Sequence, residues 1–461
     1  MKGCDYLAVE EIRLGGGPTA LASERKIFSV NPNLRISLSA GVNELPAPSL
    51  YNEIFIRELQ QFDIMHSYVP PMGNSLVRSA IRHYERKLAG VSDDSEEYAQ
   101  TVCVTAGATA AITFYFEFLA FKGKKRGLFL GLQYILFKMA ALRYRLQYDV
   151  LVSSVQGRIA PTLDEIREKA KEKWDFFVLT LPLNPSGEMY TEEEFRQILR
   201  ICKEKNILLL IDKCQWDIIL QDQTAISYTI GKIIVEEDSC QLVTIINSLS
   251  KTRSIPGARL GYVFGNAELM DYLEYLNTIT YWQASSLYSF SLIIDLLIQL
   301  DYLASSEKAS KKIHMDYRHM LLLTTQNREW ITFLFSLMDG DSYIRIKTQL
   351  IKTLQQNNHI VRVNHALVQR YAKIYELPLT PLQGGFNFCV MAHGKPNHLE
   401  KNIKEHLLLE KGMEILTQTD FCGKESRVGE PFWYRITCAQ NPLDFQNNIE
   451  LIATDLFDIH A

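Results

Sequence analysis

From about residue 50 to residue 300 the chain repeats one pattern: a short apolar run, a turn, then a stretch of helical periodicity. The runs fall at 101–105, 126–130, 149–153, 176–181, 207–211 and 242–247. A strand with one wet face alternates apolar and polar residues. A run apolar throughout, such as Ile207-Leu208-Leu209-Leu210-Ile211, is covered on both faces. Parallel strands need a crossover between them, and the helical stretches supply it. The expected fold is α/β, with a large domain whose mostly parallel sheet is flanked by helices, plus a smaller α+β domain. The smaller domain is read from a long helical pattern (Ile351 to Tyr375), the segment Gly384-Gly385-Phe386-Asn387-Phe388-Cys389-Val390, and a later strand around Arg435. The expected divisions are 1–49, a segment joining the small domain; 50–300, the large domain; 301–345, an insertion or connector; and 346–461, the small domain.

In such sheets, function gathers at the C-terminal tips of the strands. The run 207–211 ends in Asp212, a carboxylate that caps the next helix or serves chemistry. Val102-Cys103-Val104-Thr105-Ala106-Gly107-Ala108-Thr109 reads as strand, small-residue turn and helix start. Its N–H groups and the Thr109 hydroxyl make a phosphate cradle, although a turn that only permits tight packing has the same composition. Asn184-Pro185-Ser186-Gly187 follows another apolar run and, alone, is a turn with a cap. The most specific segment is Ser248-Leu249-Ser250-Lys251, followed by Pro256-Gly257-Ala258-Arg259-Leu260-Gly261. A solvated Lys/Arg pair needs none of that company. A lysine that forms an imine with a phosphorylated aldehyde uses all of it: hydroxyl and guanidinium for the phosphate, glycine for close approach, amine for the carbonyl carbon.

In order along the chain, these segments resemble the class I/II aminotransferases, which are fold-type I pyridoxal-phosphate enzymes. Two further stretches join the resemblance: Tyr68-Val69-Pro70-Pro71-Met72-Gly73 with Val77-Arg78, and Trp433-Tyr434-Arg435-Ile436-Thr437-Cys438-Ala439. It runs from about Ile36 to the end of the chain. The resemblance implies that Lys251 binds pyridoxal 5'-phosphate covalently and that Asp212 pairs with the pyridine nitrogen. It implies phosphate contacts from Ala108, Thr109, Ser248 and Arg259, and from Tyr68 of a neighbouring subunit. Tyr134 would stack on the ring, while Asn184 would donate to the phenolic oxygen. Arg435, with Gly41, would take the substrate α-carboxylate. A homodimer with shared active sites is implied, acting on an amino acid and a 2-oxo acid.

The chain departs from the family pattern in places. Gln215 stands where many members have a tyrosine on the phenolic oxygen, and Lys213 replaces the commoner glutamate. An amide donates the same hydrogen bond but is less acidic than a phenol, which leaves room for a lyase, a specialised-metabolism synthase or an oxidative enzyme on the same scaffold. The family's usual proline near Tyr134 is absent, and residues 301–345 are additional to the common pattern.

Bulk properties agree and constrain little further. A net charge of −4 gives no electrostatic reason for a nucleic-acid or anionic-membrane partner. The eight cysteines form no C-x-x-C pair, and the ten histidines follow no metal-binding spacing, so reduced buried thiols and no metal are expected. His66 reads as satisfied structure. Asp5, Glu10 and Glu11 interrupt any signal-peptide core, and the apolar stretch Ser285 to Leu300 carries Asp295 and is short for a bilayer. A cytoplasmic protein is expected, with a flexible Gly15-Gly16-Gly17-Pro18 connector in its first 35 residues.

Overall fold

The computed structural model describes residues 36–39, 41–62, 68–92, 101–217, 229–282, 287–392, 400–421, 423 and 426–456. The N-terminal connector, Cys4, His66 and Cys422 lie outside them. Seven strands form the large sheet: β2 (Thr101–Ala106), β3 (Arg126–Leu130), β4 (Gln147–Leu151), β5 (Phe176–Thr180), β6 (Leu208–Asp212), β7 (Val243–Ser248) and β8 (Leu260–Gly265). Their order is β2-β8-β7-β6-β5-β3-β4. β3 runs parallel to β4 and β5, and β6 parallel to β7, while β8 is antiparallel to both β2 and β7. The mostly parallel sheet read from the sequence is therefore present.

The differences are local and have physical causes. β4 lies two residues earlier than expected, starting on the polar Gln147, because an edge strand is half wet and its polar residues hide it from an apolar search. β6 and β7 end one residue later than the apolar runs, so Asp212 and Ser248 are themselves the last residues of their strands. β8 was not expected as a strand. Gly261 and Gly265 dilute its apolar signal, yet every residue in it is buried.

By its contacts the chain divides into two compact units. One comprises Pro46–Phe118 and Thr191–Gln356, and carries β2, β6, β7 and β8. Its core includes the helix Ser289–Tyr302, buried on every side from Ser289 to Asp301. Asp295 inside that helix is paired with Arg253, whose Nε and Nη2 lie 2.5 and 2.8 Å from its oxygens and which also holds Asp217, and it accepts from Tyr51 Oη at 2.5 Å. An unpaired charge there would cost several kcal/mol, on the order of 3–5. Among the described residues no helix is long and apolar enough to cross a membrane. The stretch expected as an insertion forms the helices Glu307–Thr324 and Arg328–Met338, the first fixed by Tyr317 Oη donating to the Ile293 carbonyl at 2.7 Å. The long helix runs Gly340–Ile374, starting well before Ile351.

The other unit comprises Met1–Leu45, Leu119–Tyr190 and Asn357–Ala461. It carries β3, β4 and β5, together with two small pairs. β1 (Ile36–Ser37) lies parallel to β10 (Met413–Glu414), and β9 (Asn387–Ala392) antiparallel to β11 (Phe432–Thr437). Phe388, Val390, Phe432, Tyr434 and Ile436 turn one face of the β9–β11 pair into a core with Phe445 and Ile449 of the last helix.

Candidate active site

In the first unit, strand register gathers the phosphate-type donors. Thr105 pairs with Gly261, and Gly261 pairs with Ser248 on the other side, so the ends of β2, β8 and β7 meet in a row. β2 leads through Gly107 (φ +76) into the helix Gly107–Phe121, which places Ala108 and the exposed Thr109 in its first turn. A Cβ on Gly107 would sit 2.9 Å from Arg259 Nη2, and one on Gly261 would sit 2.7 Å from the Gly107 carbonyl carbon. Glycine is thus required at Gly261 by close approach to main chain and at Gly107 by its left-handed backbone. Arg259 donates to the Ala106 carbonyl at 2.9 Å and the Pro256 carbonyl at 3.1 Å, and stays exposed beside the helix N-terminus. Ser248 caps the short turn Leu249–Thr252, with its Oγ 2.9 Å from Ser250 Oγ and accepting from the Ser250 N–H at 3.2 Å.

Lys251 lies half-buried on that turn. Asp212, at the tip of β6, is buried and accepts the Cys214 N–H at 2.9 Å. Burial pushes the Asp212 carboxyl above its usual range, while hydrogen bonding from Cys214 and the Lys251 charge oppose that shift. Gln215 follows, also buried. Tyr68 is 81 % exposed and meets the half-exposed Trp282 edge to face at 6.2 Å.

The second unit holds the other expected residues around one cation. Arg435 sits in the middle of β11 opposite Cys389 and is fully buried. Its Nη1 donates to Asn184 Oδ1 at 2.9 Å, its Nη2 donates to the Ser39 carbonyl, and its guanidinium lies over the Phe421 ring at 4.7 Å. Neither acceptor is a carboxylate, and among the described residues its Nε has no partner. Burial lowers the Arg435 pKa to about 10, against an opposing influence from Tyr134. Tyr134 itself heads the helix Ile135–Arg143. Gly41 (φ +59) lies against the guanidinium, where a Cβ would be 2.7 Å from Nη2, and its N–H donates to Thr437 Oγ1 at 3.1 Å. Because Asn184 Oδ1 faces Arg435 and Asn387, its Nδ2 is left as a donor.

The structure therefore brings Ala108, Thr109, Ser248 and Arg259 together, with Asp212 near Lys251. It also brings Gly41, Asn184 and Arg435 together. Ser250, Asn387, Thr437 and Phe421 belong to these clusters and were not singled out from the sequence. Only Ser250 had a visible signal, the repeated serine before Lys251. The donor set fits a phosphorylated pyridine aldehyde: an amine, a buried carboxylate near it, and hydroxyl, guanidinium and helix N–H groups for a phosphate. Among the described residues no group of His, Cys, Asp and Glu could hold a metal ion.

The aminotransferase class I and II family model matches residues 35–403. The probable aspartate/prephenate aminotransferase of Aquifex aeolicus is 26 % identical over 263 residues, which covers 56 % of this chain and 62 % of that relative, less than two thirds of its length. The aspartate aminotransferase of Thermotoga maritima is 22 % identical over 315 residues, 66 % of this chain and 78 % of the relative. A solved structure of a Thermus thermophilus aspartate aminotransferase double mutant has a TM-score of 0.71 at 17 % identity, covering 99 % of this chain and 100 % of that one. The aromatic aminotransferase of Pyrococcus horikoshii has a TM-score of 0.67 at 15 % identity, covering 94 % and 98 %. These structural likenesses speak for the fold. The family match, from residue 35 to 403 of 461, goes further: the chain belongs to the class I and II aminotransferases.

Proposed function

We propose that the protein is a pyridoxal-phosphate-dependent aminotransferase that moves an amino group between an amino acid and a 2-oxo acid. The observation that carries this reading is the buried Asp212 carboxylate at the tip of β6, in the same unit as the Gly107, Ser248 and Arg259 cluster. When bound, the cofactor's pyridine ring supplies the sink for the electron pair left as a proton departs from the substrate carbon. Asp212 would pair with the ring nitrogen and favour its protonated form. The Lys251 amine would hold the cofactor's aldehyde carbon and, when free, would move the proton at the substrate carbon. Ala108 N–H, Thr109, Ser248 and Arg259 hold the phosphate, and Asn184 and Gln215 donate to the phenolic oxygen. Tyr134 flanks the ring. Arg435, with an uncommitted Nε, takes the α-carboxylate as a planar anion matched to its fork, and Gly41 keeps room beside it.

The same proposal includes a homodimer in which the exposed Tyr68 reaches the neighbour's phosphate, a cytoplasmic location, and a large domain over 50–300 with a small domain built from 1–49 and 346–461. The relatives' names make aspartate the first amino donor to test. Borohydride reduction of cofactor-loaded protein, followed by peptide mapping, should place the pyridoxyl group on the peptide containing Lys251. Label on another lysine defeats the assignment, and ammonia released without keto acid from every donor defeats transamination in favour of a lyase.

A further inference from the structure

Behind the Lys251 turn runs a buried polar chain that none of these roles uses. Lys213, directly after Asp212, places its Nζ 2.5 Å from Glu85 Oε1. The same oxygen accepts from Tyr262 Oη at 2.6 Å. Tyr262 Oη in turn accepts from Asn247 Nδ2 at 3.0 Å, across the paired strands β7 and β8. Asn247 Oδ1 then accepts the N–H of Ser248 at 2.7 Å, and Ser248 caps the turn that carries Lys251. Lys213, Glu85 and Tyr262 are all buried. A cavity of about 20 Å³ lies beside the chain, lined in part by Lys213, Asn247, Ser248 and Tyr262, with room for one water.

A buried ion pair is a poor source of stability, since apolar residues of the same volume do as well or better. What it supplies is fixed geometry. Extended through Tyr262, the pair links the residue following Asp212 to the residue preceding Ser248, two points whose spacing the cofactor would sense. We propose that Glu85 and Tyr262 are positioning residues for the cofactor. Through Asn247 they hold the Ser248–Lys251 turn in register with the strand tip that carries Asp212. This inference rests on the pyridoxal-phosphate reading above.

The test is Tyr262→Phe, which leaves the Lys213–Glu85 pair and removes the hydroxyl that joins it to Asn247. Asn247→Ala cuts the same chain one link nearer the turn and carries the test if the first variant does not fold. Tyr317→Phe is the control, because it deletes a buried tyrosine hydrogen bond in the same unit but off this chain. Pyridoxal phosphate affinity, the pH midpoint of the bound cofactor's visible absorption, and the Tm of the cofactor-free protein are measured for each. Either chain variant is expected to weaken cofactor binding about tenfold, the loss of roughly one hydrogen bond, and to move the absorption midpoint. The control is expected to lower Tm and leave both cofactor readouts alone. Wild-type affinity and spectrum in both chain variants would overturn this inference alone. So would a loss of Tm without cofactor that accounts for the whole effect. A wild type that takes up no pyridoxal phosphate overturns the functional reading and this inference with it.

Discussion

In the unit that carries Lys251, the main chain places the chemical groups. Asp212 and Ser248 close β6 and β7, Gly261 lets β8 run under the Gly107 turn, and Arg259 and Thr109 stay exposed. In the unit that carries Arg435, the decisive charge sits mid-strand, stripped of water, and is held by a carboxamide, one carbonyl and a ring. The first arrangement is preformed by backbone and binds through several weak donors. The second concentrates its recognition in one desolvated cation, whose depressed pKa records the cost of burial. Substitutions should therefore act differently in the two places. In the Gly107–Gly261 cluster of the first unit, backbone approach is limiting; around Arg435 in the second, charge is.

The sharpest break comes from removing charge without touching backbone in the first unit. Asp212→Ala is expected to retain cofactor, because the phosphate groups remain, but to lower kcat by about 10²–10³, the scale of losing one preorganised electrostatic partner at the reacting centre. Single-turnover kinetics with a fixed amino donor measures it. A near wild-type rate would mean that another group holds the ring nitrogen, and that charge is not what the first unit contributes through Asp212.

Arg435→Gln puts the opposite half to the test. It deletes the buried cation while keeping a donor of moderate length. Truncating one member of a buried, charged contact is worth about 2–5 kcal/mol, so KM for the amino acid should rise about a hundredfold or more while cofactor affinity holds. A fall in kcat at constant KM would show that Arg435 acts on the reaction rather than on binding.

What the sequence disclosed follows from the same contrast. Doubly buried runs such as 207–211 show themselves by composition, so the sheet was legible, and with it the place of Asp212 at a strand tip. β8 was not, since Gly261 serves a close approach that exists only once β2 has folded beside it. Asn387 and Thr437 enter the Arg435 cluster because they face each other across β9 and β11, a register no local pattern encodes. Glu85 meets Lys213 from the helix Ser75–Leu88, far away in sequence, and nothing in either neighbourhood announces the other.

Gly261→Ala probes the backbone-limited half at its tightest point. The added methyl would lie 2.7 Å from the Gly107 carbonyl carbon and 2.9 Å from the Ala108 nitrogen, both main-chain atoms that cannot rotate away. Forcing them apart is overpacking, typically about 1–3 kcal/mol, and it would displace the helix N-terminus proposed to hold the phosphate. Cofactor affinity and Tm should both fall. Unchanged cofactor binding would remove the Gly107 turn from the phosphate site.

Gly41→Ala is the matched probe of the charge-limited half, and its effect should be the smallest. Its methyl would lie 2.7 Å from Arg435 Nη2, but the obstacle is the end of a side chain rather than main chain. Part of the strain can be relieved by a small tilt of the guanidinium. That tilt is resisted by the bonds to Asn184 and Ser39, and the backbone at φ +59 adds about 1 kcal/mol for any residue with a Cβ. The expected result is a modest loss of Tm and a rise of about tenfold in KM for the amino acid, because a tilted fork no longer presents two parallel N–H groups to a carboxylate. Cofactor affinity should not move, which separates this variant from Gly261→Ala. If Gly41→Ala instead weakens the cofactor and spares KM, the two halves are not divided as charge and backbone, and the role given to Gly41 beside Arg435 is wrong.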